Sequence, residues 1–346
     1  MKKSLVALAV LAASGAAMAQ SSVTLFGVVD AGYSVGNGSV SDSTAMRTDR
    51  IGSSRLGFRG VEDLGGGMRA EFWLEAGVAN DSGAGSATNS NNQAVTGLTS
   101  AGTQGLTFNR KSTVGLVGSM GEIRLGRDYS PQFYPDAQYD PFGTNGVASS
   151  LIAYGGGFAA VRASNMIAYH SPNVGGVTVM LGSYMGENNT GGASGKAGDG
   201  NGIHVRYAKG PLALGIASST TKTGLTTEVK TSTMGGSYNM GVATVVFNSN
   251  TVSNTGAVDL EGMMIGAMIP MAGGTLKFSN ASLKQGAAET KRNAVGYVMP
   301  LSKRTSLFAT YARNANSGGA NRALNGAVTG ANQASTGYDL GVNHTF

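Results

Sequence analysis

Apolar and polar residues alternate along most of this chain. From Ser22 to Tyr33, Val23, Leu25, Val29, Ala31 and Tyr33 share one parity, with Thr24 and Asp30 on the other. At the far end Tyr338, Leu340, Val342, His344 and Phe346 oppose Asp339, Gly341, Asn343 and Thr345. Between them, Ala70, Phe72 and Leu74 alternate with Arg69, Glu71 and Glu75; Ile203, Val205 and Tyr207 with His204 and Arg206; and Leu276 and Phe278 with Lys277 and Ser279. A period of two is that of a strand with one apolar and one polar face. A soluble sandwich has the same alternation, so the pattern alone leaves two architectures open.

Turn spacing separates them. Short connections are read at 63–67, 118–121, 172–176, 209–212, 239–241, 270–274 and 300–304, each between two runs of about ten residues, the span of a tilted membrane strand. Longer stretches rich in Gly, Ser, Asn and Thr, such as 80–105, 187–201 and 315–334, lie between these hairpins. Fourteen strands flank the seven turns, and the two terminal strands make sixteen. The pattern predicts an all-β, 16-stranded antiparallel transmembrane β-barrel with tight turns at one end and eight long loops at the other. Closure leaves no unpaired edge, which a lipid environment demands.

Composition agrees. The 55 glycines among 346 residues would burden a helical fold, at roughly 0.8–1.0 kcal/mol each against Ala. With no Cys and three His, disulfides, thiolate metal sites and most metal or acid–base chemistry drop out, and no cofactor is expected. The N-terminus, with Lys2 and Lys3, an apolar run from Leu5 to Ala13 and Ala17-Met18-Ala19, predicts a signal peptide over 1–19, leaving 20–346 as the barrel. Cleavage there leaves 23 bases against 19 acids. They are scattered singly through strand-like segments, which argues against nucleic acid and for charges placed within a lumen.

Several segments resemble the general trimeric porins of Gram-negative bacteria, in their neisserial and beta-proteobacterial branch. They are Ser22–Gly32, Ser54-Arg-Leu-Gly-Phe-Arg-Gly-Val-Glu-Asp-Leu-Gly-Gly-Gly67, Gly121-Glu-Ile-Arg-Leu-Gly-Arg-Asp128 and Tyr338–Phe346, and the likeness runs the whole chain. It implies an outer-membrane homotrimer in contact with lipid and lipopolysaccharide, with the terminal Phe346 read by the barrel-assembly machinery. It also implies that the third loop, 129–161, folds into the lumen. That loop carries Pro131, Pro135 and Pro141 with Tyr129, Phe133, Tyr134, Tyr139 and Phe142, a stiff aromatic composition unlike the other loops. Asp140-Pro-Phe-Gly143 is similar to the Pro-Glu-Phe-Gly of enteric porins with the acid moved ahead of the proline, which leaves open whether Asp136 or Asp140 faces the pore.

The resemblance further implies a column of bases opposite an acidic loop. The matching positions are Arg55, Arg59, Arg110 and Arg162, facing Asp136 and Asp140. Parity puts Asp30, Arg69, Glu71, Glu75, Arg124 and Arg206 elsewhere on the lumen wall. Trp73 shares that parity, although a membrane belt would want it outside. The expected function is passive diffusion of ions, anions preferred, and of small hydrophilic solutes. A channel selective for phosphate or organic acids is the alternative. A barrel enzyme would need a nucleophile with a base beside it, and none of the three His has such neighbours.

Overall fold

The computed structural model describes residues 22–88, 92, 105–150, 160–188 and 195–346. The expected signal peptide and residues 151–159 of the third loop lie outside these. Eighteen strands are assigned: β1 (Ser22–Asn37), β2 (Ser43–Thr48), β3 (Arg55–Gly65), β4 (Met68–Ala79), β5 (Ala84–Gly85), β6 (Lys111–Gly118), β7 (Gly121–Tyr129), β8 (Arg162–His170), β9 (Val177–Tyr184), β10 (Gly200–Lys209), β11 (Leu212–Lys222), β12 (Glu228–Asn239), β13 (Thr244–Asn254), β14 (Leu260–Met271), β15 (Gly274–Gln285), β16 (Ala288–Pro300), β17 (Thr305–Ser317) and β18 (Ser335–Thr345). One short helix, α1 (Phe133–Gln138), lies in the third loop.

Every neighbouring pair is antiparallel, and β1 closes the sheet by pairing with β18 from Val28↔Thr345 to Asn37↔Thr336. Its other edge pairs with β3 along Ser22–Val28 and with β2 along Ala31–Gly36, so β2 and β3 are one wall strand interrupted at 49–54. The two-residue β5 only extends the end of β4. The wall is therefore a closed barrel of sixteen strands.

All seven short turns fall where the sequence places them. The opposite end departs from the expectation of eight long loops: the connections at 38–42, 223–227, 255–259 and 286–287 are short as well. There the strands themselves grow, to 16 residues in β1 and 13 in β16 and β17, because polar residues on both faces can continue a ladder beyond the apolar belt.

Burial is inverted relative to a water-soluble protein. Outward side chains such as Val23, Ile216, Met263 and Ile265 are largely exposed, whereas inward Ser34, Thr290 and Asn314 are buried. Tyr169 and Tyr297 on the outer face donate their hydroxyls to the carbonyls of Met120 and of Met271 and Ala272, next to short turns, as interfacial tyrosines do. Phe346 exchanges two backbone hydrogen bonds of 3.0 Å with Gly27, sealing the last strand to the first.

The described part of the third loop, 130–150, lies inside this wall. Its Tyr139, Phe142 and Phe133 are buried, and Phe142, Val147 and Ala148 form an apolar cluster with Ala294, Ala312 and Leu324. Glycines on the inner wall make the trough it rests in. A Cβ at Gly235 would press on the Tyr139 ring, one at Gly266 on Pro141 and one at Gly296 on Phe142. These wall glycines thus serve close approach of loop to wall.

Candidate functional site

The loop narrows the lumen against a wall of arginines. A cavity of about 670 Å³ is bordered by Arg50, Arg110, Arg162, Arg292 and Arg322, with Phe133, Thr144, Asn145, Gly146 and Ser149 of the loop across from them. Among the described residues, Asp49 is the one carboxylate on its lining. That group already accepts from the Ser54 amide at 2.6 Å and the Thr48 hydroxyl at 3.1 Å.

Four of these arginines are held by local devices. Arg50 sits in the break between β2 and β3, which Asp30 organises: its buried carboxylate accepts from the amides of Arg50, Ile51 and Gly52 and from Asn343 Nδ2. Asp30 thus positions Arg50 from beneath and does not present itself to the lumen. Arg110 pairs with Glu75 through Nε at 2.6 Å. Arg162, at the start of β8, donates to the Arg110 carbonyl at 2.8 Å and lies over the Tyr129 ring at 4.8 Å. Arg292 donates to Asn314 Oδ1 at 2.9 Å and to the Ser149 carbonyl at 2.8 Å, tying wall to loop. Gly146, at φ +67°, passes so close that a Cβ would collide with the Arg50 carbonyl.

Of the residues proposed from sequence, Arg110 and Arg162 share this cavity. Arg55 does not border it and reaches Glu75 Oε1 at 3.4 Å. Arg59 lies nearer the short turns, 5.3 Å from the Trp73 ring and 5.5 Å from that of Phe26. There it borders a second cavity of about 340 Å³ with Glu71, Trp73, Lys111, Glu122 and Arg124. Trp73 stays on the inner face as its parity predicts, since Arg59, Lys111 at 5.0 Å and a hydrogen bond to Glu75 at 3.1 Å give the indole a polar surround. Arg124 is paired with Glu122 and Asp128, and Arg69 with Glu71. Arg206, on β10, stands beside Tyr139 of the loop.

Neither loop carboxylate borders the cavity, although Asp140 acts electrostatically on Arg292 from within the loop. Asp140 is spent within the loop, accepting from the amides of Phe142, Thr144 and Ser150 and from the Ser150 hydroxyl. Asp136 is 1% exposed and turned to the wall beside Asn248, Asn250 and Thr233. Burial pushes its carboxyl well above the ordinary range, with Asn248 pulling it down and Asp140 adding to the rise. The described loop residues that border the cavity, Phe133, Thr144, Asn145, Gly146 and Ser149, carry no charge.

Sequence reasoning missed Arg50, Arg292, Arg322 and the buried anchor Asp339. Asp339 accepts from the Ser34 hydroxyl at 2.6 Å, the Val147 amide at 2.8 Å and Asn325 Nδ2 at 2.8 Å, and lies 3.6 Å from Arg50. Its alternation with Tyr338 and Leu340 was the available signal of an inward side chain.

A profile of the Gram-negative porin family matches residues 4–319. The chain belongs to that family. Outer membrane porin protein 32 of Delftia acidovorans is 38% identical over 372 residues, covering 100% of this chain and 100% of its own. Among solved structures, an anion-selective porin from Comamonas acidovorans is similar with a TM-score of 0.82 at 32% identity, over 94% of this chain and 100% of that one. OmpT of Vibrio cholerae, in a trimer form, shares the fold at 13% identity with a TM-score of 0.62, over 94% of this chain and 99% of its own. The protein is thus an outer-membrane porin, a channel and not an enzyme. In this porin, Asp136 yields a stability prediction. A carboxyl whose folded pKa is raised binds its proton more tightly folded than unfolded, so stability falls as pH climbs from about 4 through the folded value. Asp136→Asn removes that loss and offers Asn248 Oδ1 a donor. Thermal unfolding in detergent at pH 5 and 9 should show a smaller alkaline loss in the variant; equal losses would mean that Asp136 does not carry it.

Proposed function

We propose that this porin passes small anions and small hydrophilic solutes by passive diffusion, and that its anion preference is set at the cavity under the third loop. One observation carries the reading: five arginines border that cavity, and the described loop residues on its lining are uncharged. Rings of Arg favour anions, and in a narrow, poorly screened passage the preference is strongest. Because the loop residues on the lining are uncharged and Asp140 is tied into its own loop, offsetting Arg292 only in part, the field there is dominated by the bases. Arg50, Arg110, Arg162, Arg292 and Arg322 form this site, with Arg55, Arg59, Arg69, Arg124 and Arg206 as paired or outlying bases of the same lumen. The Comamonas relative is described as anion-selective, which supports the assignment.

The assembly is a homotrimer on this reading, in the state described for the Vibrio relative. Its outer surface meets outer-membrane lipid and lipopolysaccharide, and Phe346 serves the assembly machinery. A planar bilayer under a KCl gradient tests the selectivity: the reversal potential should have the sign of chloride, and a potassium-like sign would end the proposal. Five convergent guanidiniums also suit a single multivalent anion. Block of chloride current by micromolar phosphate or a dicarboxylate would favour a solute-class channel, and its absence general diffusion.

A further inference from the structure

Below the constriction, the cavity of about 340 Å³ lies on the inner wall of β3, β4, β6 and β7, and its charges do not balance. Two ladder rows form its floor. In one, Arg59 pairs with Trp73 and Trp73 with Thr113; in the next, nearer the short turns, Val61, Glu71, Gly115 and Arg124 stand in register. Adjacent strands are about 4.8 Å apart, so three of them span roughly 10 Å, room for a single aromatic ring. Gly115 brings no side chain, which leaves a dip beside Glu71 that the Glu122 carboxylate overhangs.

Most of the charges here are matched. Arg124 lies 2.7 Å from Glu122 and 2.6 Å from Asp128, Lys111 lies 3.0 Å from Asp128, and Glu71 is paired with Arg69. Among the described residues, Arg59 is the one base on this lining without a carboxylate partner. Rings hold it instead. Its guanidinium carbon lies 5.3 Å from the Trp73 centroid and 5.5 Å from that of Phe26, and the two rings meet edge to face at 5.0 Å. Such contacts steady the planar fork without consuming its N–H donors, and the side chain is exposed. Beside it stands an apolar group. Val61, two residues on along the same face, is 42% exposed although its row otherwise carries Glu71 and Arg124.

We propose that this cavity is a binding subsite for an aromatic monocarboxylate, with the carboxylate on the Arg59 fork and the ring across Val61 and Trp73. The fork matches a carboxylate with two parallel hydrogen bonds. One unmatched positive charge calls for one negative charge: a second carboxylate on the ligand would be directed toward Glu71 and Glu122, which repel it. A small inorganic anion would use the guanidinium and leave Val61 and the indole in water. The subsite goes beyond the function proposed above, because the arginine cavity selects by sign of charge, whereas this one selects by the body that carries the charge.

The test titrates para-fluorobenzoate, read by its fluorine NMR line, into the porin in detergent at constant ionic strength. The line should shift and broaden to saturation as the ring meets Trp73, and unlabelled benzoate should reverse the change. Fluoroacetate, which brings the carboxylate without the ring, should bind roughly tenfold more weakly. Arg59→Gln should weaken para-fluorobenzoate by at least about tenfold. Val61→Asp, which leaves the guanidinium and both rings in place and adds a like charge, should weaken it as well. The porin carrying Arg162→Gln and Arg322→Gln should titrate as the wild type does. A wild type without saturation, or an Arg59→Gln titration that matches it, overturns the subsite. Loss of the response in the Arg162→Gln and Arg322→Gln porin also overturns it, by moving the site to the constriction, and fluoroacetate binding as tightly as the aromatic acid reduces it to a general anion contact.

Discussion

Replacing Arg162 and Arg322 with glutamine is expected to remove most of the anion preference while leaving the barrel intact. Both border the constriction, and neither has an ion pair among the described residues. Arg162 is held by the Arg110 carbonyl and the Tyr129 ring, neither of which cancels its charge. Arg110, by contrast, is matched by Glu75, and Arg55 shares the same carboxylate. One unit charge about 4 Å from a passing ion is worth about 1 kcal/mol even in bulk water, roughly a fivefold effect, so two should cost on the order of tenfold in the chloride-to-potassium permeability ratio. The effect should fade toward 1 M salt, where the Debye length is about 3 Å. Reversal potentials at low and high KCl measure both. Arg55→Gln should move the ratio far less; if it moved it as much as the pair does, the five-arginine cavity would not be the selectivity filter.

Asp339→Ala should loosen the third loop around Val147. The carboxylate is fully buried and holds Ser34 of β1, Asn325 of the 318–334 loop and the Val147 amide of the third loop, with Arg50 alongside. Its loss strands those donors and a partly buried guanidinium at once, a cost of roughly 3–5 kcal/mol by analogy with broken buried ion pairs. The Arg292 contact to Ser149 and the apolar packing of Phe142, Val147 and Ala148 would still hold this part of the loop against the wall, but without the polar anchor of the Val147 amide. Single-channel records should show larger open-state noise and sub-states, and the variant should unfold at lower temperature than wild type. Asp63→Ala, which removes one hydrogen bond to Gly65 in an exposed turn, serves as the control and should leave the traces unchanged. Quiet traces from Asp339→Ala would show that the apolar cluster and the Arg292 contact hold the loop without it.

The barrel was legible because its evidence is repeated. Strand parity is a backbone property and shows wherever one face is apolar, as at Val23, Leu25 and Val29 or at Leu340 and Val342. The constriction was legible only in part, because its residues sit where that contrast is missing. Arg50 lies in the break of a wall strand and Arg322 in a loop, and neither place has a parity to read. Arg292 stands between Lys291 and Asn293 at a height where both faces are polar. Nor does alternation say which way a loop carboxylate turns. Asp140 and Asp136 are oriented by amides of their own loop and by Thr233, Asn248 and Asn250, far away in sequence. Likewise, four outer connections looked like loops in composition because strands that leave the apolar belt lose their apolar face and keep their ladder.

The chain holds a single tryptophan, and that indole lies inside the channel between Arg59 and Lys111. All of the protein's tryptophan emission therefore comes from one point in the lumen, below the arginine cavity and next to two cations. An iodide ion must pass the constriction or enter by the short-turn mouth to quench it, and a caesium ion meets like charge on arrival. The wall residue that suited a membrane belt least is thus a built-in optical gauge of which ions have entered.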